Sequence, residues 1–221
     1  MTLEPYILLK LAHILLFVYW LGGDIGVFYS ARFVRNSSYS LDARKLALKI
    51  LGWIDQIPRY CLVLMLPVGY SLASEIGLVN LPTISLLLLW FIGSLWLGVV
   101  WWIHHYQGTV LAERLRSIDL VWRFILVAGL LWDSVQSLRG EGHIFAKWIA
   151  IKFMLFAAII FCGIMIRILG KPLGPALRNV FANGSTPQLE TIVQSTFAKT
   201  RPFVLIIWFL LVCAAYVGIA K

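Results

Sequence analysis

Charged residues are scarce in this chain. Only 13% of its 221 residues are Asp, Glu, Lys or Arg, whereas a soluble domain usually contains about 25%. The hydrophobic share is 61% and the mean hydropathy is +0.87. A soluble core of this length cannot bury so much apolar surface, so the composition argues against the soluble globular, fibrous and disordered classes.

Thiol and thioether ligands are scarce as well. The chain has three cysteines and four methionines, and Cys61, Cys162 and Cys213 all lie inside apolar stretches without a CxxC pair. This pattern excludes a disulfide framework and a cysteine-based zinc site. A Cu(I) path normally uses soft sulfur ligands, so copper transport ranks last among the functional hypotheses.

Long apolar blocks are what the sequence has in abundance. A membrane-spanning helix needs about 20 apolar residues, and the blocks predict an all-α, polytopic membrane helix bundle with about six transmembrane helices. The first expected span covers approximately residues 6–30, and the second ends near residue 73. The other four cover approximately residues 83–106, 120–136, 144–169 and 202–220.

The net charge of +9 is concentrated in the short loops after the first, third and fifth spans. This asymmetry indicates topology control by the positive-inside rule and not nucleic-acid binding. We therefore expect both termini to face the periplasm, in a multi-pass protein of the bacterial inner membrane.

The whole chain, residues 1–221, is expected to form a single transmembrane domain. Ser40 and Thr186-Pro187 are typical helix starts, and the second opens an amphipathic segment within a cytoplasmic loop over 170–200. A span, a basic amphipathic loop and a span occur at 6–73 and again at 144–220. This is a weak internal repeat or the ordinary similarity of two helical hairpins.

Polar residues inside predicted spans are the candidate site residues, since a charge at the bilayer centre costs at least about 2.5–3.5 kcal/mol. Counting about 1.5 Å per helical residue places His13 and Lys152 at nearly the same depth in the outer half of the membrane. Asp133 enters this layer from the fourth span. Lys152 and Asp133 are the candidate catalytic residues, and His13 and Lys152 the candidate cofactor-binding residues.

A second group lies nearer the cytoplasm and contains Asp24, Asp55 and Arg59. Asp55 and Arg59 are four residues apart, an acid-before-base spacing that favours pairing on one helix face. A structural ion pair is the favoured interpretation of this group, and a functional role is the alternative.

His13 is the candidate metal ligand. Imidazole is the usual axial ligand of haem, and helix bundles build cofactor sites from inward-pointing side chains. Because no second histidine lies at its depth, we expect a single histidine ligand with Lys152 or water opposite. A buried histidine without any cofactor is the alternative.

Two short motifs resemble known families. Residues 9–15 (LKLAHIL), followed by 20–23 (WLGG), resemble the first helix of the HemJ-type protoporphyrinogen oxidases and the CopD-type copper-resistance membrane proteins. Residues 148–153 (WIAIKF) resemble the opening of a later helix in the same families. The resemblance implies that their functional histidine and lysine correspond to His13 and Lys152, and that haem b binds at His13.

The leading functional hypothesis is therefore a haem-b-binding membrane redox protein of the bacterial inner membrane, with a role in electron transfer or in porphyrin- or quinone-linked oxidation. The alternative is a non-catalytic accessory transmembrane subunit of a larger respiratory, photosynthetic or dehydrogenase complex. Expected partners are membrane lipids, a porphyrin or quinone, and other membrane subunits, but not nucleic acid.

Overall fold

The computed structural model describes residues 4–221, and this part of the chain is all-helical without a strand. Its eight helices are α1 (Pro5–Arg35), α2 (Leu41–Ile54), α3 (Gln56–Glu75), α4 (Thr83–His105), α5 (Val110–Arg139), α6 (Lys147–Leu169), α7 (Leu173–Asn183) and α8 (Pro187–Ile219).

Five helical segments of residues 4–221 are long and apolar enough to cross a membrane: α1, α2 together with α3, α4, α6 and α8. They correspond to five of the predicted spans. The remaining predicted span, 120–136, lies within α5, which is 30 residues long but is not among these five. A multi-pass membrane protein follows from the five segments alone.

Helix boundaries agree with the local signals where side chains cap the backbone. The Ser40 hydroxyl accepts the Ala43 N–H at 3.3 Å and begins α2, and the Thr186 hydroxyl accepts the Leu189 N–H at 3.3 Å and begins α8. Gly140, with φ of 84°, ends α5 in the left-handed conformation that glycine adopts without strain. The fourth and fifth predicted spans are therefore separate helices.

The region after α6 is more helical than expected. Residues 170–200 contain α7 and the first turns of α8, and α8 continues through Pro202, where a new span was predicted to start. An internal proline removes one backbone hydrogen bond, but long apolar helices tolerate it when neighbouring groups compensate.

Helix α6 lies at the centre of the bundle. Half of its most apolar stretch is buried, compared with 11% for α1 and for α8. It packs against α5 and α8, while Trp20 of α1 meets Phe156 edge-on at 6.1 Å and Tyr70 of α3 stacks on Phe153 at 4.3 Å. Helices from both halves of the chain thus share one core.

The two ends of the bundle differ in composition. We call the end with the α1–α2, α4–α5 and α6–α8 connections the basic end, and the other the distal end. At the basic end, Val34, Ala176, Leu177 and Val193 form a small second core. At the distal end, backbone hydrogen bonds from Asn80 N–H to the His143 carbonyl and from Phe145 N–H to the Leu78 carbonyl, both 2.9 Å, join two loops.

Candidate functional site

His13 and Lys152 lie on the same side of the α1–α6 contact. His13 is seven residues, about 10 Å, from Trp20 toward the distal end, and Lys152 is four residues, about 6 Å, from Phe156 in the same direction. Both side chains are half-buried, and the charge of Lys152 acts on the His13 ring. The structure thus brings together the two residues that depth counting paired.

The imidazole of His13 has an unmet hydrogen-bonding requirement. Its Nδ1 is buried and has no hydrogen-bond partner among residues 4–221. Gly69 of α3 leaves room beside the ring, since a Cβ built on Gly69 would lie 3.8 Å from His13 Cε1. Other buried polar atoms also lack partners, among them the indole nitrogens of Trp122 and Trp208. The His13 ring also lies within electrostatic range of the Lys152 ammonium.

Lys152 has no carboxylate within 4 Å in the described part of the chain. Its Nζ lies against α8, where a Cβ built on Gly218 would be 3.0 Å away, and 5.9 Å from the Trp148 ring centre. Gly218 is in the last turn of α8, and the partial negative charge of a helix C-terminus favours a cation there. A residue larger than glycine at 218 would displace the ammonium.

The Asp133 carboxylate forms no ion pair with Lys152 in the described part of the chain. Its Oδ2 accepts the Tyr70 hydroxyl at 3.0 Å, and its Oδ1 lies 2.9 Å from His143 Nε2. The Asp133 side chain is 15% exposed, whereas that of His143 is 52% exposed. Both carboxylate oxygens of Asp133 therefore have a partner, and Asp133 connects the exposed His143 with Tyr70. Tyr70 could not be predicted as part of this site from the sequence, because a tyrosine in an apolar helix carries no charge signal.

The second predicted group has a simple geometry. Asp55 separates α2 from α3, and its carboxylate pairs with Arg59 one turn later. Asp24 is half-buried nearby, within electrostatic range of both, but among residues 4–221 it forms no ion pair within 4 Å. The pair of Asp55 and Arg59 is partly exposed, with 26% and 36% of the two side chains accessible.

A larger buried network adjoins this pair and was missed by sequence reasoning. Asp119 of α5 accepts hydrogen bonds from the Trp96 indole at 2.6 Å, from Arg123 Nε at 3.1 Å, and from Arg167 of α6. The Asp119 side chain is fully buried. The i, i+4 spacing of Asp119 and Arg123 was an available signal, but Asp119 precedes the predicted span 120–136 and Arg167 lies at the very end of the predicted span 144–169. This network ties α4, α5 and α6 together.

The donor set at His13 and Lys152 fits one kind of occupant better than a bare ion. Residues 4–221 contain no group of three or more His, Cys, Asp or Glu side chains that could hold a metal ion. A haem requires less from the protein, since one imidazole can ligate its iron and its propionates need cationic partners. His13 offers an imidazole with a buried nitrogen lacking a partner, and Lys152 offers an uncompensated ammonium in the same layer. An imidazole and an ammonium are the kinds of donor that a haem iron and its propionates use.

No family model, no curated protein and no solved structure matches this chain.

Proposed function

We propose that this chain is a haem-b-binding membrane redox protein, a divergent relative of the HemJ-type and CopD-type proteins. One observation carries the proposal: a histidine and a lysine, both without a side-chain partner, are held at one depth by two helices of a shared core. A buried unpaired charge is costly in a membrane. A haem would meet both needs, because its iron can bind the unpartnered imidazole and its propionates can pair with the ammonium.

Haem b supplies one-electron transfer when bound. In this proposal His13 ligates the iron and the Lys152 ammonium neutralises a propionate. Gly218 leaves the space that the Lys152 ammonium occupies. Asp133 keeps the Tyr70 hydroxyl oriented, and the exposed His143 connects this carboxylate to the distal surface, where protons can be exchanged with water. The reducing partner would be a quinol or a reduced porphyrin (a porphyrinogen), which gives up electrons and protons and is released as the quinone or porphyrin; both are apolar enough to enter from the membrane.

The experiment is a visible spectrum of the purified full chain, oxidised and then reduced with dithionite. We expect a Soret band that shifts on reduction in the wild type, its loss in His13→Ala, and reduced haem content in Lys152→Met. His105→Ala is the matched control, because His105 stacks on Trp101 at the basic end, 4.2 Å between ring centres, and should keep full haem content. Absence of a Soret band in wild-type protein reconstituted with haemin would overturn the proposal.

We also infer that α5 crosses the membrane as a sixth span and that the termini face the periplasm of a bacterial inner membrane. Helix α5 is long enough, at about 45 Å, and its buried Asp119 and Arg123 are paired with each other. Single cysteines at Ser37 and at Glu141, in a background without the native cysteines, should react with impermeant maleimide from opposite sides. Labelling of Ser37→Cys from the periplasm would reverse the orientation.

A further inference from the structure

A cavity of about 550 Å³ opens at the basic end, between the last turns of α1 and the start of α8. Arg32 and Arg35 of α1 supply its charge, and Tyr29, Phe33, Tyr39 and Gln194 supply most of its remaining wall. The aromatic rings support one another, with Phe33 and Tyr39 5.6 Å apart and Tyr29 and Phe33 6.0 Å apart between centres. The cavity is thus an open basic pocket with an aromatic wall.

The two arginines are not neutralised by the protein. Within residues 4–221 neither has a carboxylate within 4 Å, because the acids of the adjoining helices are paired elsewhere, Asp42 with Lys45 and Glu190 with Arg44. Arg32 lies over the Tyr29 ring at 5.4 Å, an arrangement that leaves the guanidinium N–H groups free at its edge. The C-terminal end of α1 contributes only about half a negative charge, so an anion in the pocket is attracted by a clear excess of positive charge.

An apolar surface continues from the pocket along α1. Val18, Ile25, Tyr29 and Arg32 follow one another at spacings of seven, four and three residues and so share a helix face, on which Val18 is 53% and Ile25 47% exposed. Ile25 lies about 10 Å and Val18 about 21 Å from Arg32 along the axis, and half of a bilayer core is about 15 Å thick. The arginines therefore stand at headgroup level above a surface suited to an acyl chain.

We propose that this pocket is a binding site for an anionic phospholipid, with the phosphate held by Arg32 and Arg35 and an acyl chain along Ile25 and Val18. Basic pockets between membrane helices recognise acidic headgroups in this way. A soluble phosphate would use the arginines but not the apolar face. The site is at the opposite end of the bundle from His13 and does not depend on haem binding.

The test is native mass spectrometry of the full chain released from micelles containing equal amounts of dioleoyl phosphatidylglycerol and dioleoyl phosphatidylcholine. We expect one retained phosphatidylglycerol, and retention in R32A/R35A lowered about 25-fold, at about fivefold for each basic residue. R114A/R178A is the matched control, since it removes the same charge from exposed positions of the same end and should retain the lipid. Gln194→Glu should lower retention without removing an arginine, because it places a carboxylate in the pocket.

Three results would overturn the proposal. Equal losses in R32A/R35A and R114A/R178A would mean a diffuse electrostatic attraction. Equal retention of phosphatidylcholine and phosphatidylglycerol would mean that the phosphate charge is not recognised against a neutral headgroup. Displacement of the lipid by millimolar inorganic phosphate would identify a soluble anion as the ligand. If R32A/R35A does not fold, as judged by size-exclusion chromatography, Gln194→Glu alone decides.

Discussion

The buried polar groups of the two halves of this bundle are arranged differently. Toward the basic end, Asp119 is bonded by Trp96 and two arginines, and Arg44 forms a two-point ion pair with Glu190 at 2.6 and 2.9 Å. In the distal half, Asp133 is bonded by Tyr70 and His143, but His13 and Lys152 have no such partners. Burying a charge is costly, and pairing offsets the cost only where the hydrogen bonds are complete. The paired groups are suited to holding helices together, whereas the unpaired ones are suited to an occupant from outside the chain.

The largest effect is expected at the centre of the paired half. Asp119→Asn keeps the shape of the side chain but leaves Arg123 and Arg167 buried without a counter-charge. Breaking a buried pair by removing one partner costs about 3–5 kcal/mol of unfolding free energy. The measurement is unfolding in mixed micelles, followed by tryptophan fluorescence.

The control for this substitution lies on the same helix. Glu113→Gln removes a carboxylate whose pair with Arg116, at 2.8 Å, is about half exposed on both sides, and exposed pairs contribute about 0–1 kcal/mol. A loss at Asp119 no larger than the loss at Glu113 would show that the network does not hold α5 and α6 together.

A smaller loss is expected at the ion pair of the basic end. The Arg44 side chain is 1% exposed and also donates to the Val34 carbonyl at 2.9 Å, while Ser185 donates to Glu190 at 2.7 Å. Glu190→Gln keeps part of these hydrogen bonds, so we expect a loss of about 2–3 kcal/mol. The double variant Arg44→Met/Glu190→Leu should recover most of it, because a well-packed apolar pair can replace a buried ion pair.

The neighbouring surface pair on α2 provides the comparison. Asp42 and Lys45 are 3.7 Å apart and the Asp42 side chain is 95% exposed, so Asp42→Asn should change the unfolding free energy by less than about 0.5 kcal/mol.

The double variant Arg44→Met/Glu190→Leu could instead lose more unfolding free energy than Glu190→Gln alone. That result would mean that the pair of Arg44 and Glu190 is needed for packing and not only for its charge.

The sequence predicted what depends on local chemistry and depth, and missed what depends on packing. The caps at Ser40 and Thr186 are short-range hydrogen bonds, and counting helical residues paired His13 with Lys152. The partners of Asp119 could not be predicted, because Arg167 is 48 residues away and nothing in a single sequence places α6 against α5. The same holds for Tyr70 and Asp133, 63 residues apart. Continuity of α8 through Pro202 also depends on its surroundings, since proline alone predicts a helix start.

The smallest change in stability, with the opposite sign to the others, is expected at Lys152. Lys152→Met keeps most of the aliphatic stem that packs beside Trp148 but removes an ammonium without a carboxylate partner. The substitution removes the favourable interaction of the ammonium with the C-terminal end of α8, about 0.3–1 kcal/mol. It also removes the cost of burying an unpaired charge. Haem-free protein should therefore unfold with the wild-type free energy or up to about 1 kcal/mol more, measured in the same micelles as Asp119→Asn. A loss above about 2 kcal/mol would mean that Lys152 supports the fold as Asp119 does, and the contrast between the two halves would disappear.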